Sequence, residues 1–182
     1  MDMNKIFYFI MFGMIITFFI PAEVLSQPPP GTKTPIITHS YAIDKGRYGQ
    51  TWKIYLEAQD PDGDLAKIAS TVDQIGYCCY STDYIPIKPP FQTHLKGYIR
   101  LNTFSSRTSF IRAGTQITLK VSIFDHAENE SNRVVFPLEF VIGVEPAPKP
   151  PAPFDQGDIP LLGNIMIDLV EPSLMEPTPG HK

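Results

Sequence analysis

The chain has 182 residues and a net charge of −4, with 15 Lys and Arg against 19 Asp and Glu. It contains no basic run, no stripe of Arg or Lys and no RNA-binding aromatic motif. This composition argues against nucleic acid as a partner, because nucleic-acid-binding domains carry a concentrated basic surface.

The first 26 residues have the layout of a secretory signal. A short polar start leads into an uncharged stretch from Ile6 to Ile20, and Val24-Leu25-Ser26 supplies small or modest side chains for a cleavage site. A helix over that stretch would measure about 22 Å, which is shorter than a hydrocarbon core of about 30 Å. We therefore predict a cleaved signal peptide at 1–26 and a mature chain that begins near Gln27.

The predicted signal places the protein outside the cytoplasm, in the periplasm, on the cell surface or in the medium. The alternative is an uncleaved N-terminal anchor. Under that alternative, this segment would be the protein's contact with the membrane.

Proline divides the rest of the chain into three parts. Residues 27–33 are predicted to be a stiff Pro-rich spacer, and residues 143–182 a Pro-rich linker and tail. Between them, residues 34–142 are long enough for one β-sandwich of about 100 residues.

Seven strands are predicted in this central segment, because apolar and polar residues alternate there with a period of two. Pro137 falls on the outward side of the last strand, which indicates a sheet edge. The same strand is expected to bury alternate residues from Val134 to Ile142. The predicted fold is an all-β, seven-stranded antiparallel immunoglobulin-like sandwich with a Pro-rich C-terminal tail. The strands are predicted at 35–43, 51–59, 66–74, 94–102, 106–111, 115–125 and 132–142.

Two stretches resemble known domains. Residues 56–65, LEAQDPDGDL, resemble the second-strand turn of many bacterial immunoglobulin-like, PKD-like and cadherin-like domains. Residues 121–132, VSIFDHAENESN, are similar to the D-x-A-G-N-x-S stretch that opens their last strand, with Glu128 in place of the usual glycine. The resemblance covers residues 34–142. It implies the sandwich fold and a role in adhesion, spacing or ligand binding on cell surfaces or in periplasms.

Two predicted strands end in the same way. The apolar alternation of 51–59 and of 115–125 continues to an aspartate, Asp60 in one strand and Asp125 in the other. In an immunoglobulin-like order these strands run in the same direction on facing sheets, so we expect both aspartates at one end of the sandwich.

The acidic residues at that end have two interpretations. Their oxygen atoms suit Ca²⁺, which would also relieve the repulsion between carboxylates. The favoured alternative is that they are turn residues whose carboxylates accept backbone N–H bonds. The candidate metal ligands are Asp60, Asp62, Asp64, Asp125, Glu128 and Asn129.

The irregular stretch 76–93 carries the other candidate residues. Tyr77, Tyr80, Tyr84 and Phe91 are a candidate binding surface for sugars or peptides, although covering the open edge of the sandwich is the favoured role.

Cys78 and Cys79 are adjacent and are the two cysteines of the chain. Neighbouring Cα atoms lie about 3.8 Å apart, below the usual disulfide range of about 4.4–6.8 Å. A bridge between them is possible but strained, so unbridged thiols are preferred and intermolecular pairing stays open.

The tail carries an apolar island at 159–170 among its prolines. Such an island either docks on its own domain or awaits a partner, for instance by adding a strand to a sheet edge. The sequence favours neither alternative over the other.

No nucleophile elbow, phosphate loop, zinc-ligand pair or His-centred catalytic arrangement is identifiable, so no enzymatic activity is predicted. The sequence predicts a non-catalytic exported module with structural or protein-interaction roles at the cell envelope. The alternative is a Ca²⁺-assisted carbohydrate- or protein-binding domain for adhesion. The expected partner is a protein or glycan of the envelope or extracellular space, and Ca²⁺ is the one cofactor considered.

Overall fold

The computed structural model describes residues 33–143 and 148–172. The predicted signal peptide at 1–26 and all but the last residue of the predicted spacer at 27–33 lie outside these ranges. No helix in the described ranges is long and apolar enough to cross a membrane. The described elements are β1 (Ile36–Ala42), β2 (Lys45–Gly46), β3 (Thr51–Gln59), β4 (Leu65–Gln74), β5 (Cys78–Cys79), β6 (Asp83–Pro86), a 3-10 helix (Pro89–Phe91), β7 (His94–Asn102), β8 (Gln116–Asp125), β9 (Val134–Phe140) and β10 (Leu161–Ile165).

The strands form two sheets. The first sheet has the order β1-β3-β7-β10, and the second has the order β2-β9-β8-β4-β5, with β6 also paired to β4. In immunoglobulin nomenclature, β1, β3 and β7 are strands A, B and E, while β9, β8 and β4 are strands G, F and C. This strand order confirms the predicted immunoglobulin-like sandwich.

Two pairings depart from the predicted antiparallel arrangement. β10 runs parallel to β7, and β2 runs parallel to β9, so both sheets are mixed. The other strand pairs are antiparallel within the described part of the chain. The parallel pair β7–β10 arises because the C-terminal tail returns to the free edge of the first sheet and runs beside β7 in the same direction.

The strand predicted at 106–111 is wrong, because these residues belong to the loop between β7 and β8. Hydroxyl groups in this region bond to backbone oxygens, which competes with a strand ladder. Ser105 Oγ donates to the Leu169 carbonyl over 2.5 Å, and Thr108 Oγ1 donates to the Phe110 carbonyl over 2.6 Å.

The core lies between the inward faces of the two sheets, where alternate residues of the long strands meet. Its only Trp, Trp52, is fully enclosed and donates its indole N–H to the Ile43 carbonyl over 2.8 Å, so its polar atom is satisfied. As predicted, β3 buries Trp52, Ile54, Leu56 and Ala58, and β8 buries Ile117, Leu119, Val121 and Ile123.

The last predicted strand is shorter than expected. β9 ends at Phe140, and Ile142 is 91% exposed, so the predicted burial of Ile142 is wrong. Pro137 lies on the part of β9 that β2 leaves uncovered, because β2 pairs only with Glu139 and Phe140. This position fits the predicted edge, where a missing N–H costs little.

The apolar island of the tail packs on the sandwich. Ile165, the last residue of β10, and Leu169 beyond it are buried in the common core. Two glycines permit the close approach of β10: a Cβ atom on Gly97 would lie 2.5 Å from Leu162 Cγ, and one on Gly163 would overlap the Ile85 side chain. Of the two alternatives for the island, the structure therefore has docking on its own domain.

Candidate functional site at the acidic end of the sandwich

The loops that follow β3 and β8 meet at one end of the sandwich. Asp60 directly follows β3, Asp125 is the last residue of β8, and they are 2% and 1% exposed. Asp125 pairs with Leu65 at the start of β4, and the N–H of His126 donates to the Asp64 carbonyl over 3.1 Å. The structure therefore brings the β3–β4 loop and the β8–β9 loop into direct contact.

Asp60 holds the β3–β4 loop from inside. Its carboxylate accepts hydrogen bonds from the N–H groups of Asp62 at 3.3 Å and Asp64 at 3.0 Å. Its carbonyl accepts the N–H of Gly63, which has a φ of +77° that favours glycine. Asp60 is thus the cap of an Asx-type turn.

Asp125 has the same role in the β8–β9 loop. One carboxylate oxygen accepts the backbone N–H of Asn129 at 2.8 Å, and the other accepts the Asn129 side-chain amide at 2.7 Å. Its carbonyl accepts the N–H of Glu128 at 3.3 Å. Both buried aspartates are therefore engaged by their own loops.

Glu128 and Asp62 have partners of other kinds. Both Glu128 carboxylate oxygens accept from Lys67 Nζ at 2.7 Å, and the same ammonium lies 5.4 Å from the Tyr84 ring centroid and 5.3 Å from that of Phe124. Asp62 accepts the backbone N–H of Lys33. Of the six candidate ligands, these two are the ones bound to residues outside the two loops.

Asp64 differs from the other acidic residues at this end, because one of its carboxylate oxygens has no hydrogen-bond partner. This atom, Oδ1, is buried. The pKa of the Asp64 carboxyl is raised to about 6, and the largest cause is a hydrogen bond to the Asp60 carboxyl. Burial and the charges of Asp60 and Asp125 raise this pKa further, whereas His126 lowers it. Two neighbouring carboxylates that share a proton have this signature.

Within the described ranges, no group of three or more His, Cys, Asp or Glu side chains has an arrangement that could hold a metal ion. The carboxylates of the candidate ligands Asp60 and Asp125 already accept hydrogen bonds within their own loops.

The raised pKa of Asp64 predicts a pH dependence of stability. An acid whose pKa is higher in the folded state than in the unfolded state stabilises the fold at low pH, and that contribution is lost as pH rises from about 4 to about 6. We expect Asp64→Asn to match the wild type at pH 4 and to exceed its free energy of unfolding at pH 7.5 by about 1 kcal/mol, after allowance for solvent screening. Urea unfolding at several pH values measures this difference, and a difference independent of pH would contradict the assignment.

Glu128 occupies a conformation that suits glycine. Its φ is +65°, in the left-handed region that side chains other than glycine rarely adopt. A left-handed conformation costs a non-glycine residue about 1–2 kcal/mol, whereas the partly exposed ion pair with Lys67 is worth less than about 1 kcal/mol.

We therefore expect Glu128→Gly to raise the free energy of unfolding by about 0.5–1 kcal/mol. Chemical denaturation gives the value. The control is Glu128→Gln, which keeps the strained conformation and loses the ion pair, and it should be neutral or slightly destabilising. A stabilised Gln variant would show that charge, and not backbone conformation, decides the effect.

The four candidate aromatic residues do not form one surface. The Tyr77 and Tyr80 rings are in tilted contact beside β5, with centroids 5.0 Å apart. Tyr84 is 54% exposed and lies beside Lys67, while Phe91 packs against the core from the 3-10 helix.

Tyr80 has a structural role. Its hydroxyl donates to Gln74 Oε1 and accepts the N–H of Val170 at 3.1 Å, and burial raises its pKa to about 12. The Tyr80 hydroxyl therefore links Val170 of the tail to Gln74 at the end of β4.

Sequence reasoning missed a different aromatic row, on the outer face of the first sheet. Tyr41, Tyr55 and Tyr98 lie side by side on β1, β3 and β7, with centroids 6.2 Å and 5.7 Å apart. Phe154 of the tail covers this row, 5.5 Å from Tyr55, and is itself buried. All three tyrosines lie on the outward parity of their strands, but only the strand register shows that they adjoin.

A carboxylate between two histidines was also missed on this face. Glu57 Oε2 lies 3.0 Å from His39 Nδ1, and Glu57 Oε1 lies 3.2 Å from His94 Nε2. The three residues are far apart in sequence, so no motif spacing could have revealed the group.

No protein-family model and no curated protein matches this chain. Among solved structures, the chain is similar to the PKD domain of an M14-like peptidase from a Thermoplasmatales archaeon, at 14% identity and a TM-score of 0.40, over 60% of this chain and 98% of that one. It is also similar to a CARDB domain from Pyrococcus furiosus solved in complex with di-metal ions, at 7% identity and a TM-score of 0.35, over 62% of this chain and 96% of that one. At these TM-scores neither likeness carries an argument, and the fold assignment is based on the strand order described above.

Proposed function

We propose that this protein is a non-catalytic, exported immunoglobulin-like module with a structural or protein-interaction role at the cell envelope. The observation that carries the proposal is the use of the loop side chains: Asp60 and Asp125 cap the two loops in which they lie. Asn132 extends this network, because its side chain both accepts from and donates to the backbone of Ile37 at 2.8 Å and 3.1 Å. The polar groups at this end thus hold the loops in place, as expected of a scaffold.

Export is tested on the full chain in a bacterial host. Cell fractionation and intact mass should find a mature protein in the envelope or medium that begins near Gln27. A charged substitution in the apolar stretch, Phe9→Lys, should leave the precursor in the cytoplasm. Recovery of wild-type protein that still carries Met1 in the cytoplasmic fraction would contradict export.

The interaction role is tested in intact cells with a photo-crosslinking residue at exposed positions such as Val135 or Met166. A discrete adduct with one envelope protein is expected at one or more positions. Uncrosslinked protein at every exposed position would count against an interaction role. Turnover of any substrate in a panel of glycosides and peptides would overturn the non-catalytic assignment.

The second candidate function is Ca²⁺-assisted binding of a carbohydrate or a protein. The observation that favours it is Asp64, whose buried Oδ1 atom lacks a partner and whose pKa is raised beside Asp60 and Asp125. Oxygen ligands of this kind suit Ca²⁺, and a divalent cation would remove the carboxylate repulsion.

Thermal unfolding of the full chain with and without Ca²⁺ separates the two functions. Binding stabilises a fold by about 2.7 kcal/mol at 100 times the dissociation constant. If the protein binds Ca²⁺ at the acidic end, Ca²⁺ should raise the Tm of the wild type but not that of Asp64→Asn. The control is Asp73→Asn, outside the acidic end, and its Tm should rise as in the wild type. An unchanged Tm up to millimolar Ca²⁺ would exclude this function and leave the scaffold.

A further inference from the structure

The two cysteines lie together on the short strand β5. Both are exposed, and their Sγ atoms are 2.8 Å apart. β5 pairs with the end of β4, with Cys79 opposite Asp73 and Cys78 opposite Gln74, so the two thiols stand at the tip of a hairpin. A soluble reagent therefore has access to both sulfur atoms.

The backbone brings these side chains to the same side. In a regular strand, successive side chains point to opposite faces of the sheet, which would separate the two sulfur atoms. Cys78 instead has a φ of +127°, a region that non-glycine residues rarely adopt, and Gly76 in the preceding turn has a φ of +84°. The hairpin thus holds a strained conformation whose effect is to juxtapose the thiols.

The contact between the two sulfur atoms also affects proton loss, because the hydrogen bond to Cys78 raises the pKa of the Cys79 thiol. The thiolate is the nucleophile in thiol–disulfide exchange, and with the Sγ atoms 2.8 Å apart the second sulfur lies within reach of a mixed disulfide on the first.

We propose that Cys78 and Cys79 form a reversible vicinal disulfide by exchange with a small-molecule or protein disulfide. One of the two cysteines, as its thiolate, attacks one sulfur of the incoming disulfide, forms a mixed disulfide and releases one thiolate. The other cysteine then loses its proton and attacks the Sγ atom of the first, which expels the second thiolate. The protein loses two protons and two electrons, and the two electrons reduce the incoming disulfide to two thiols. Because adjacent cysteines are below the usual Cα separation for a disulfide, the bridge is strained and readily reduced.

This site is coupled to the tail through Tyr80. Tyr80 follows Cys79 directly, and its hydroxyl bonds to Gln74 and to the N–H of Val170. Gln74 Nε2 in turn donates to the Val170 carbonyl at 2.6 Å, and Pro172 lies against Gly76. Closing the bridge alters the backbone immediately before Tyr80, so it should change how firmly the end of the tail is held.

The chemistry is tested on the full reduced chain with oxidised glutathione as the probe. After alkylation of the remaining thiols, intact mass should show a protein that has lost two hydrogen atoms and carries neither glutathione nor alkyl groups. Dithiothreitol should restore two alkylatable thiols. Persistent glutathione adducts, alkylation of both thiols after oxidation, or intermolecular dimers would overturn the proposal.

Two conservative variants supply the controls. Cys79→Ser should stop at a stable glutathione adduct on Cys78, and Cys78→Ser at one on Cys79, because each variant lacks the resolving sulfur. Loss of glutathione from either variant without added reductant would overturn the proposal.

Hydrogen exchange tests the coupling. The segment that contains Val170 should exchange at different rates in the reduced and bridged proteins, while β3 should not change. Identical exchange in both states would overturn the coupling to the tail and leave the bridge as a local modification.

Discussion

Replacing Leu169 with alanine is expected to lower the free energy of unfolding by about 3 kcal/mol. Leu169 is 0% exposed and belongs to the same core as the two sheets, although it lies beyond the Pro-rich part of the chain. Truncation of a buried leucine costs about 2–5 kcal/mol, since the transfer free energy of the side chain is lost and a cavity remains. Chemical denaturation monitored by Trp52 fluorescence would report the loss.

The matched control is Met166→Ala in the same segment. Met166 is 78% exposed, so its truncation should change the free energy of unfolding by less than about 0.5 kcal/mol. Equal effects of the two substitutions would mean that the tail is not part of the fold in solution.

A double-mutant cycle at β10 gives an independent check of docking. A Cβ atom on Gly163 would overlap Ile85, so Gly163→Ala should be strongly destabilising in the wild type. It should cost much less in an Ile85→Ala background, where the overlapping side chain has been removed. Additive effects would contradict the contact between β10 and β6.

The long strands were predictable because the alternation of apolar and polar residues that identifies each strand lies within that strand's own sequence. β3 and β7 have the predicted bounds, 51–59 and 94–102, since apolar residues alternate throughout both of them. β10 was not predicted as part of the sandwich, because its five residues lie among prolines and its partner β7 is distant in sequence. The strand predicted at 106–111 is wrong, because local side-chain bonds replace a ladder there: Ser106 Oγ donates to the Asp168 carboxylate and Thr108 Oγ1 to the Phe110 carbonyl.

For the acidic end, the sequence predicted which strand ends meet but not how the side chains there contact one another. Parity turns Asp60 and Asp125 inward, and the immunoglobulin order places the ends of their strands together. The role of Asp64 was not predictable, because it depends on how the loop places one carboxylate beside another. The tyrosine row depends on cross-strand register in the same way, which the sequence of each single strand does not contain.

Asp125→Ala is expected to lower the free energy of unfolding by about 2–3 kcal/mol at pH 7. The carboxylate is 1% exposed and accepts two hydrogen bonds from Asn129, so its removal leaves two partly buried donors without partners. Each buried group left unsatisfied costs about 1–3 kcal/mol. Asp73→Ala is the control, because its ion pair with Lys120 is partly exposed and should contribute less than about 1 kcal/mol.

Asp125→Asn separates the hydrogen bonds from the charge. The asparagine carbonyl can still accept one hydrogen bond from Asn129, so the loss of stability should be smaller than in the alanine variant. The substitution also removes one of the charges that raise the pKa of Asp64. The fall in stability between about pH 4 and pH 6 should therefore become shallower in this variant. An unchanged pH profile in Asp125→Asn would show that the charge of Asp125 does not perturb Asp64, and that the two loops are electrostatically independent at their point of contact.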